Sequence, residues 1–330
     1  MVYNLEVFMQ YKNFSGSAEE ISLLGFGAWG IGKTMWIGAE DAESKKTLHR
    51  AIEKGINFFD SALVYGNGHS EKLLGEVEKE SRKTLFITSK IPSQKYEWPA
   101  KDSSALKASY PNNHIIQSTE RSLKNLKRDY IDLQQFHVWN DNWAQQDEWK
   151  IAVDKLKREG KVRFFGISIN DHQPENGIEA GKTGFIDSFQ VIFNIFDQSP
   201  LDKLLPFCEV NAISMVARVP FDEGSLTGNI TPETTFPNGD WRNRYFRGDR
   251  KEQVWQRVQE VWQVGNEECS SLAELALRFT VSFPAVTTVI PGMRKERHLL
   301  DNLTSIEKGP LSPELLERLK AHRWVRNYYS

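Results

Sequence analysis

Short apolar runs alternate with longer amphipathic segments along this chain of 330 residues. The apolar runs are rich in β-branched and aromatic residues, which is typical of buried strands. In the segments between them, Leu and Ile recur at spacings of three and four, which predicts helices with one buried face. Eight strands are predicted in this way, at residues 21–27, 57–60, 85–90, 130–137, 163–169, 188–193, 212–218 and 287–292.

The helices between these strands indicate how the strands pair. Helices are predicted at 41–55, which has an acidic first turn and a terminal glycine, at 114–128 and at 149–161, and a further one at 270–283 precedes the last strand. Parallel strands need such crossover connections, so the alternation predicts βα units. Eight units in a chain of this length favour a closed (β/α)8 TIM barrel, with an extra C-terminal helix, over an open doubly wound sheet.

Two long segments depart from the repeat. Residues 91–113 and 219–250 are polar and rich in Pro, Gly and Trp, and they follow the third and the seventh predicted strand. Loops of this length in a compact domain are usually functional lids or disordered segments. Both would lie at the face of the barrel where the strands end.

Composition narrows the class of protein. The chain is 39% apolar and 26% charged, with a formal net charge of -2, which gives no reason to expect nucleic-acid or membrane partners. The first residues lack the pattern of a signal peptide, so none is expected, and no apolar run reaches about 18 residues. Cys208 and Cys269 lack metal-ligand or redox spacing, so a cytoplasmic protein with reduced cysteines and no metal site is predicted. We expect one domain over 1–330. Residues 1–8 are expected to be a flexible extension, because Met9 resembles a second start. The sequence is compatible with both a monomer and a homo-oligomer.

Four ionisable side chains stand at the ends of three adjacent strands. Asp60 ends the second strand and Tyr65 follows it in the loop, Lys90 ends the third strand, and His137 ends the fourth. Taken singly, each has an ordinary structural interpretation as a cap, a surface aromatic, a solvated lysine or a rim histidine. In a barrel, however, these strand ends share one mouth, so their joint occurrence predicts an active site.

These four residues suit the delivery of a proton to a carbonyl oxygen. A tyrosine has a pKa of about 10, and a neighbouring ammonium group lowers it. We therefore expect Lys90 to lower the pKa of Tyr65, Asp60 to hold Lys90, and His137 to orient the substrate oxygen. None of these residues supplies reducing power, so a hydride donor has to bind beside the tyrosine.

The motifs that carry these residues, "GINFFDSALVYG", "ITSK" and "DLQQFHVW", resemble the Asp, Tyr, Lys, His tetrad of the aldo-keto reductase superfamily. The likeness runs from residues 23–32 to residues 289–303. It implies NADPH-dependent, metal-free reduction of an aldehyde or ketone on a TIM barrel. In such a reaction the hydride passes to the carbonyl carbon while Tyr65, as the general acid tuned by Lys90 and Asp60, protonates the oxygen.

The resemblance also implies a set of cofactor contacts. In this chain Phe193 replaces the usual tyrosine that stacks on the nicotinamide, Val219 replaces a serine, and Ile169 separates Ser168 from Asn170. The set comprises Gly27, Ala28, Trp29, Asp60, Ser168, Asn170, Gln190, Phe193, Val219, Phe221, Gly224, Leu226, Gly292, Arg294, Lys295, His298 and Asn302.

The segment after the last strand favours NADPH over NADH. A helix begins there and offers free backbone N–H groups to a phosphate. Arg294 and Lys295 stand at that point, where Arg294 could fork onto the 2′-phosphate, although a basic helix surface explains the pair equally well without the resemblance. His298 and Asn302 lie four residues apart on one helical face, where they could contact the adenine.

The substrate side is less defined. Trp29, Trp98 and Trp139 are expected to surround the mouth, with Trp139 as its wall because it is two residues from His137. The basic segment 240–250 could meet an anionic substrate, cover the cofactor or form a surface charge cluster. The alternatives to a carbonyl reductase are an NADP-dependent alcohol or sugar dehydrogenase and an NADPH-binding regulatory subunit resembling potassium-channel β subunits.

Overall fold

The computed structural model describes residues 9–329, so the predicted extension at residues 1–8 lies outside the described part. Ten strands are present in it. Two of them, β1 (Tyr11–Asn13) and β2 (Glu20–Ser22), form an antiparallel hairpin. The other eight pair in parallel in the order of the sequence, namely β3 (Phe26–Gly27), β4 (Phe58–Asp60), β5 (Phe86–Ile91), β6 (Ile131–Phe136), β7 (Val162–Ser168), β8 (Ser188–Ile192), β9 (Ser214–Arg218) and β10 (Val286–Val289).

Twelve α-helices accompany these strands in the described residues. They are α1 (Asp41–Glu53), α2 (His69–Ser81), α3 (Leu106–Ser109), α4 (Asn112–Leu126), α5 (Asp147–Arg158), α6 (Ile178–Gly181), α7 (Leu204–Val210), α8 (Arg242–Tyr245), α9 (Arg250–Gly265), α10 (Leu272–Val281), α11 (Glu296–Glu307) and α12 (Pro313–Leu319). The local sequence explains where some of these helices begin. The Ser271 and Ser312 hydroxyls accept hydrogen bonds from backbone N–H groups in the first turns of α10 and α12. Between residues 9 and 329, no helix combines the length and apolar character that a membrane span requires.

The first and last barrel strands meet at a seam. Gly25 donates from its backbone N–H to the Val289 carbonyl at 2.8 Å, and Val289 donates back to the Leu23 carbonyl at 2.9 Å. A further bridge joins Gly27 to Gly292. The prediction of a (β/α)8 barrel is therefore confirmed, and the carboxyl ends of all eight strands face one mouth.

The predicted first strand, 21–27, is two separate strands. Its beginning belongs to the hairpin, and its end belongs to the barrel. The hairpin covers the opposite end of the barrel from the mouth, because Phe14 packs at 4.9 Å from both Phe86 and Phe164, near the starts of their strands. The hairpin therefore closes the base of the barrel, and the strand ends at the other side form the mouth.

The two long loops both lie at the mouth. The loop after β5 contains α3, and the loop after β9 contains a 3₁₀ turn at Asp222–Thr227 and then α8. The chain after α12 returns to the same region, where Trp324 donates from its backbone N–H to the Phe196 carbonyl at 2.8 Å. Loops and C-terminal tail together therefore build the rim above the strand ends.

Replacing the seam glycine tests the closure. In Gly25→Ala, the new methyl group would lie 2.8 Å from Phe58 Cδ1 and 2.9 Å from Ile290 Cγ2, closer than carbon atoms normally approach. We expect the free energy of unfolding in urea to fall by about 1–3 kcal/mol, the usual cost of overpacking. Gly292→Ala is the control, since nothing lies within 4 Å of its added methyl group. Equal stabilities of the two variants would contradict the tight seam.

Candidate active site

A buried ion pair lies at the centre of the mouth. Lys90 Nζ donates to both carboxylate oxygens of Asp60, at 2.8 and 2.7 Å, and to the Ser61 carbonyl at 2.7 Å. The Thr88 hydroxyl donates to Asp60 at 2.8 Å. Asp60 and Lys90 are 2% and 1% exposed. An ammonium group has three N–H bonds, and these three oxygens are the nearest acceptors of Lys90.

Tyr65 lies above this pair, on a turn that begins the connection to α2. Its hydroxyl is 3.5 Å from Lys90 Nζ, and the ammonium lies 5.0 Å from the centre of its ring. Gly66, at φ 65°, supplies the left-handed backbone that the turn requires. The structure thus brings together the tyrosine, lysine and aspartate that the sequence predicted to converge.

The expected lowering of the Tyr65 pKa is wrong. Burial, followed by the negative charge of Asp60, raises the pKa of Tyr65 well above its ordinary value, and the charge of Arg218 opposes this only in part. The ammonium fails to lower the pKa because Asp60 compensates its charge at contact distance. Tyr65 therefore carries its proton at neutral pH.

His137 completes the predicted group of four. Its ring is 5.8 Å from the Tyr65 ring, edge to face, and the backbone N–H of His137 donates to the Ile91 carbonyl at 2.9 Å. Burial, with the positive charges of Lys90 and Arg218, lowers the pKa of His137 well below its ordinary value. The imidazole is therefore neutral and can donate one ring N–H to an oxygen in the mouth.

Arg218 is a functional candidate that the sequence analysis missed. It is the last residue of β9, and its Nη2 donates to Asp171 Oδ1 at 2.6 Å and to the Ile169 carbonyl at 3.1 Å. Its buried Nε has no hydrogen-bond partner in the part of the chain that the structure describes. The criterion that selected Asp60 and Lys90, an ionisable residue at a strand end, would have found it.

Two of the predicted tryptophans border the mouth. Trp98 is 44% exposed, its ring lies perpendicular to His137 at 4.9 Å, and its Nε1 donates to Asp171 Oδ2 at 2.8 Å. Trp29 lies on another side, with its ring 6.3 Å from that of Tyr65. These two rings give the mouth aromatic walls beside its charged floor.

Trp139 does not line the mouth. It is 0% exposed, and its ring packs at 5.4 Å from Phe136 and at 5.5 Å from both Trp143 and Trp149. Strand β6 ends at Phe136, and the chain beyond it carries the indole into the layer between barrel and helices. Its closeness to His137 in sequence is therefore not closeness in space.

Two of the expected nicotinamide contacts are also corrected. Phe193 is fully buried against Phe279 and Phe283, at 5.6 and 5.3 Å, so its ring faces α10 and cannot stack in the mouth. The Asn170 amide is occupied by structural hydrogen bonds, since it accepts from the Trp139 backbone N–H at 3.2 Å and donates to the Trp139 carbonyl at 2.9 Å and Gln173 Oε1 at 3.1 Å.

The other expected nicotinamide contacts lie at the strand ends. Ser168 and Gln190 are register partners on β7 and β8, and both are buried. Gln190 Oε1 has no partner within residues 9–329, so it can accept a hydrogen bond from an added amide. The seam places Gly27, Ala28 and Trp29 beside Gly292.

The loop after β9 has an unusual backbone. Val219 has φ 56° and Gly224 has φ 103°, both in the left-handed region, which is rare for a β-branched residue such as valine. Phe221 is half-buried, whereas the Leu226 side chain is fully buried in the core. Of these four expected contacts, Leu226 can therefore offer a ligand its backbone but not its side chain.

The expected 2′-phosphate residues lie beside a second arginine. Arg294 Nη1 donates to the Ile37 carbonyl at 2.9 Å, and its guanidinium lies 5.5 Å from the Trp36 ring. Arg242, from the loop after β9, lies 4.4 Å from the same ring. Burial, followed by the charge of Arg242, lowers the pKa of Arg294. Arg242 itself pairs with the Asp240 carboxylate at 2.8 Å, so Arg294 is the cation whose charge an anion would balance.

The remaining predicted cofactor contacts lie around α11. Lys295 is exposed and immediately precedes the helix. His298 is half-buried, and burial lowers its pKa. Asn302 is buried, and its Nδ2 has no partner among the described residues, so it retains a donor for a ligand.

A buried carboxylic acid, also missed from the sequence, closes the rim. Burial raises the pKa of Glu223 to about 7. The Tyr329 hydroxyl donates to its Oε1 at 2.7 Å, Trp241 Nε1 lies 3.5 Å from its Oε2, and the rings of Tyr329 and Trp241 stack at 5.4 Å. These contacts join the C-terminal tail to the loop after β9, a pairing of distant segments that no local pattern indicates.

Comparison with known proteins agrees with the motifs. A model of the aldo/keto reductase family matches residues 23–323. The aldo-keto reductase YhdN of Bacillus subtilis (strain 168) is 29% identical over 311 residues, which cover 93% of this chain and 91% of YhdN. A probable voltage-gated potassium channel subunit beta of Oryza sativa subsp. japonica is 26% identical over 95% of this chain and 96% of its own. The structure of glycerol dehydrogenase AKR11B4 from Gluconobacter oxydans has a TM-score of 0.76 at 26% identity, covering 94% of each chain. The resemblance inferred from the sequence is thus confirmed.

Glu223→Gln should remove a pH dependence of stability. Because the folded pKa of about 7 lies above the ordinary value of 4.5, the folded protein holds this proton more tightly than the unfolded chain. The free energy of unfolding of the wild type therefore falls as the pH rises from about 4.5, and this fall is largely complete above about pH 7. Between pH 6 and pH 8, urea unfolding should show the wild type losing about 1 kcal/mol relative to the variant.

Glu233→Gln, in the same loop and exposed, is the control for this experiment. It should keep the pH dependence of the wild type. The assignment fails if Glu223→Gln and Glu233→Gln respond to pH alike.

Proposed function

This chain belongs to the aldo/keto reductase family, and we propose that it is an NADP(H)-dependent oxidoreductase that reduces the carbonyl group of an aldehyde or ketone. The observation that carries the proposal is the placement of Tyr65 directly above the Lys90–Asp60 pair, with His137 beside it. The strand ends supply a proton donor, a fixed positive charge and a neutral hydrogen-bond donor around one space.

Tyr65 acts as the general acid. Its raised pKa keeps the phenol protonated, so the proton is present when a carbonyl oxygen arrives. As the proton leaves, the ammonium of Lys90 at 3.5 Å stabilises the phenolate by its charge. The neutral imidazole of His137 donates a hydrogen bond that orients the same oxygen.

The nicotinamide, when bound, supplies the hydride. The residues at the strand ends fit its carboxamide, because Gln190 has a buried oxygen without a partner in the described chain and Ser168 lies next to it. The unpartnered Nδ2 of Asn302 suits an acceptor nitrogen of adenine. Gly27, Ala28 and Gly292 offer backbone where no bulky side chain intervenes.

We assign NADPH as the preferred cofactor from the two arginines. Arg294 and Arg242 both lie within 5.5 Å of the centre of the Trp36 ring. Asp240 pairs with Arg242, whereas no carboxylate neutralises Arg294 at contact distance within the described residues. A 2′-phosphate would balance this charge, whereas a ribose hydroxyl would not.

Two other functions are compatible with the same residues. In the reverse direction, the Tyr65 phenolate would take the proton of an alcohol, as a dehydrogenase acting on alcohols or sugars requires; the structure with a TM-score of 0.76 is that of a glycerol dehydrogenase. The second is a regulatory subunit that binds NADPH and acts through a partner, which the similarity to a probable potassium channel subunit beta favours.

Tyr65→Phe tests the general acid. The substitution removes a hydroxyl that lies 3.5 Å from Lys90 Nζ, the long limit of a hydrogen bond, so folding and NADPH affinity should change little. Turnover, followed as NADPH oxidation with a panel of aldehydes, should fall by more than about 100-fold because the proton donor is lost. Tyr96→Phe is the control, since Tyr96 is 71% exposed in the loop after β5.

Undiminished turnover in Tyr65→Phe would reject the role of this residue. Tight NADPH binding by a wild type that turns over neither aldehydes nor alcohols would favour the regulatory function instead.

Arg294→Ala tests the cofactor assignment. Loss of a charged hydrogen bond to the 2′-phosphate should weaken NADPH binding by about 10- to 100-fold. NADH lacks that phosphate, so its dissociation constant should change by less than about threefold. Both constants can be measured by quenching of tryptophan fluorescence, with the exposed Arg297→Ala as the control. Equal losses for the two cofactors would rule out the 2′-phosphate role.

A further inference from the structure

The guanidinium of Arg218 is only half used by the protein. Its Nη2 donates to Asp171 and to the Ile169 carbonyl. The neighbouring Nε–H is buried and has no partner within residues 9–329. A buried N–H without an acceptor costs about 1–3 kcal/mol. By contrast, Lys90 Nζ has three oxygen acceptors within 2.8 Å.

The position of Arg218 relates it to the substrate space. Asp171 accepts from Arg218 with one oxygen and from the Trp98 indole with the other, and the Trp98 ring lies 4.9 Å from that of His137. Arg218 therefore stands on the same side of the mouth as the residue that orients the carbonyl. Its positive charge also acts to lower the pKa of Tyr65, of Lys90 and of His137.

The chemistry of the remaining N–H indicates what it binds. The Nε–H of a guanidinium is a charged donor, and its strongest acceptors are the oxygens of a carboxylate or of a phosphate. The Asp60 charge is already balanced by Lys90 and is bonded to it twice. Arg218 is thus the cation of this floor that retains a buried N–H for a further acceptor.

We propose that Arg218 binds an anionic group of the substrate, so that the favoured substrates are aldehydes or ketones that carry a carboxylate or a phosphate close to the carbonyl. This rests on the proposed function, because Tyr65 and His137 must receive the carbonyl of the same molecule. The two anions share the recognition chemistry, and separate substrates distinguish them.

The test compares matched pairs of substrates. Succinic semialdehyde carries a carboxylate where 4-methylpentanal carries an isopropyl group, and glyceraldehyde 3-phosphate and glyceraldehyde differ by a phosphate. The wild type should prefer the anionic member of at least one pair by about 10-fold or more in kcat/KM, and the preferred pair identifies the anion.

The variants are Arg218→Met, which keeps much of the side-chain volume, and Arg218→Lys, which keeps the charge without the Nε–H donor. Met should lower kcat/KM for the anionic substrate by about 10- to 100-fold more than for its neutral partner, chiefly through KM. Lys should restore part of the loss. Thermal unfolding and NADPH affinity close to those of the wild type establish that the variants are folded and bind the cofactor.

A binding measurement separates this proposal from the proposed function. Succinate and inorganic phosphate, added to the NADP⁺ complex, should raise the melting temperature of the wild type and not that of Arg218→Met. If the wild type turns over no carbonyl compound but shows this Arg218-dependent shift, the anion site stands and the reductase assignment falls. The proposal is overturned if the wild type shows neither an anion preference nor the shift. It is also overturned if Arg218→Met weakens NADPH binding tenfold, because the arginine then serves the cofactor.

Discussion

The buried pair of Lys90 and Asp60 is the interaction on which the mouth of this barrel depends. Taking two charges out of water costs several kcal/mol for each ion, and only close contacts with full hydrogen bonding offset that cost. Here the contacts come from the ends of two neighbouring strands and from the Ser61 carbonyl. Any shift between β4 and β5 would leave a charge unpaired, so the pair fixes their register at the point where Tyr65 begins its turn.

The hydrogen bonds that Lys90 makes also influence the protonation state of Tyr65. An ammonium with a free hydrogen would bond the tyrosine oxygen closely and favour the phenolate. Three other oxygens lie within 2.8 Å of Lys90 Nζ, whereas the tyrosine hydroxyl lies 3.5 Å away, and the burial of the phenol dominates its pKa. The tyrosine is thus held as an acid in the resting protein, while the charge that would stabilise its anion is already in place.

Much of the fold and the core of the candidate site follow from the sequence, because both depend on periodic or local features. Asp60, Lys90 and His137 could be placed together because they end consecutive strands of one barrel. Trp139, Phe193 and Asn170 were misplaced for one shared reason: each lies just beyond the end of a strand, where side-chain direction no longer follows the alternation of the pleat. The direction of the Tyr65 pKa also depends on which oxygens take the hydrogens of Lys90, and only coordinates give that.

Glu223 and Tyr329 lie beyond prediction for a different reason, since 106 residues separate them. The loop after β9 holds Val219, Asp222 and Glu223 at positive φ, which is unfavourable for residues with side chains. Contacts from the tail offset this cost: Arg326 pairs with Asp222, and Tyr329 bonds Glu223. The loop that bears on the cofactor in the proposed function is therefore held in a strained form by a segment outside the barrel repeat. The charge of Arg218 also acts to lower the pKa of Glu223 and that of Tyr329. The tail is therefore part of the electrostatics of the mouth as well as of its shape.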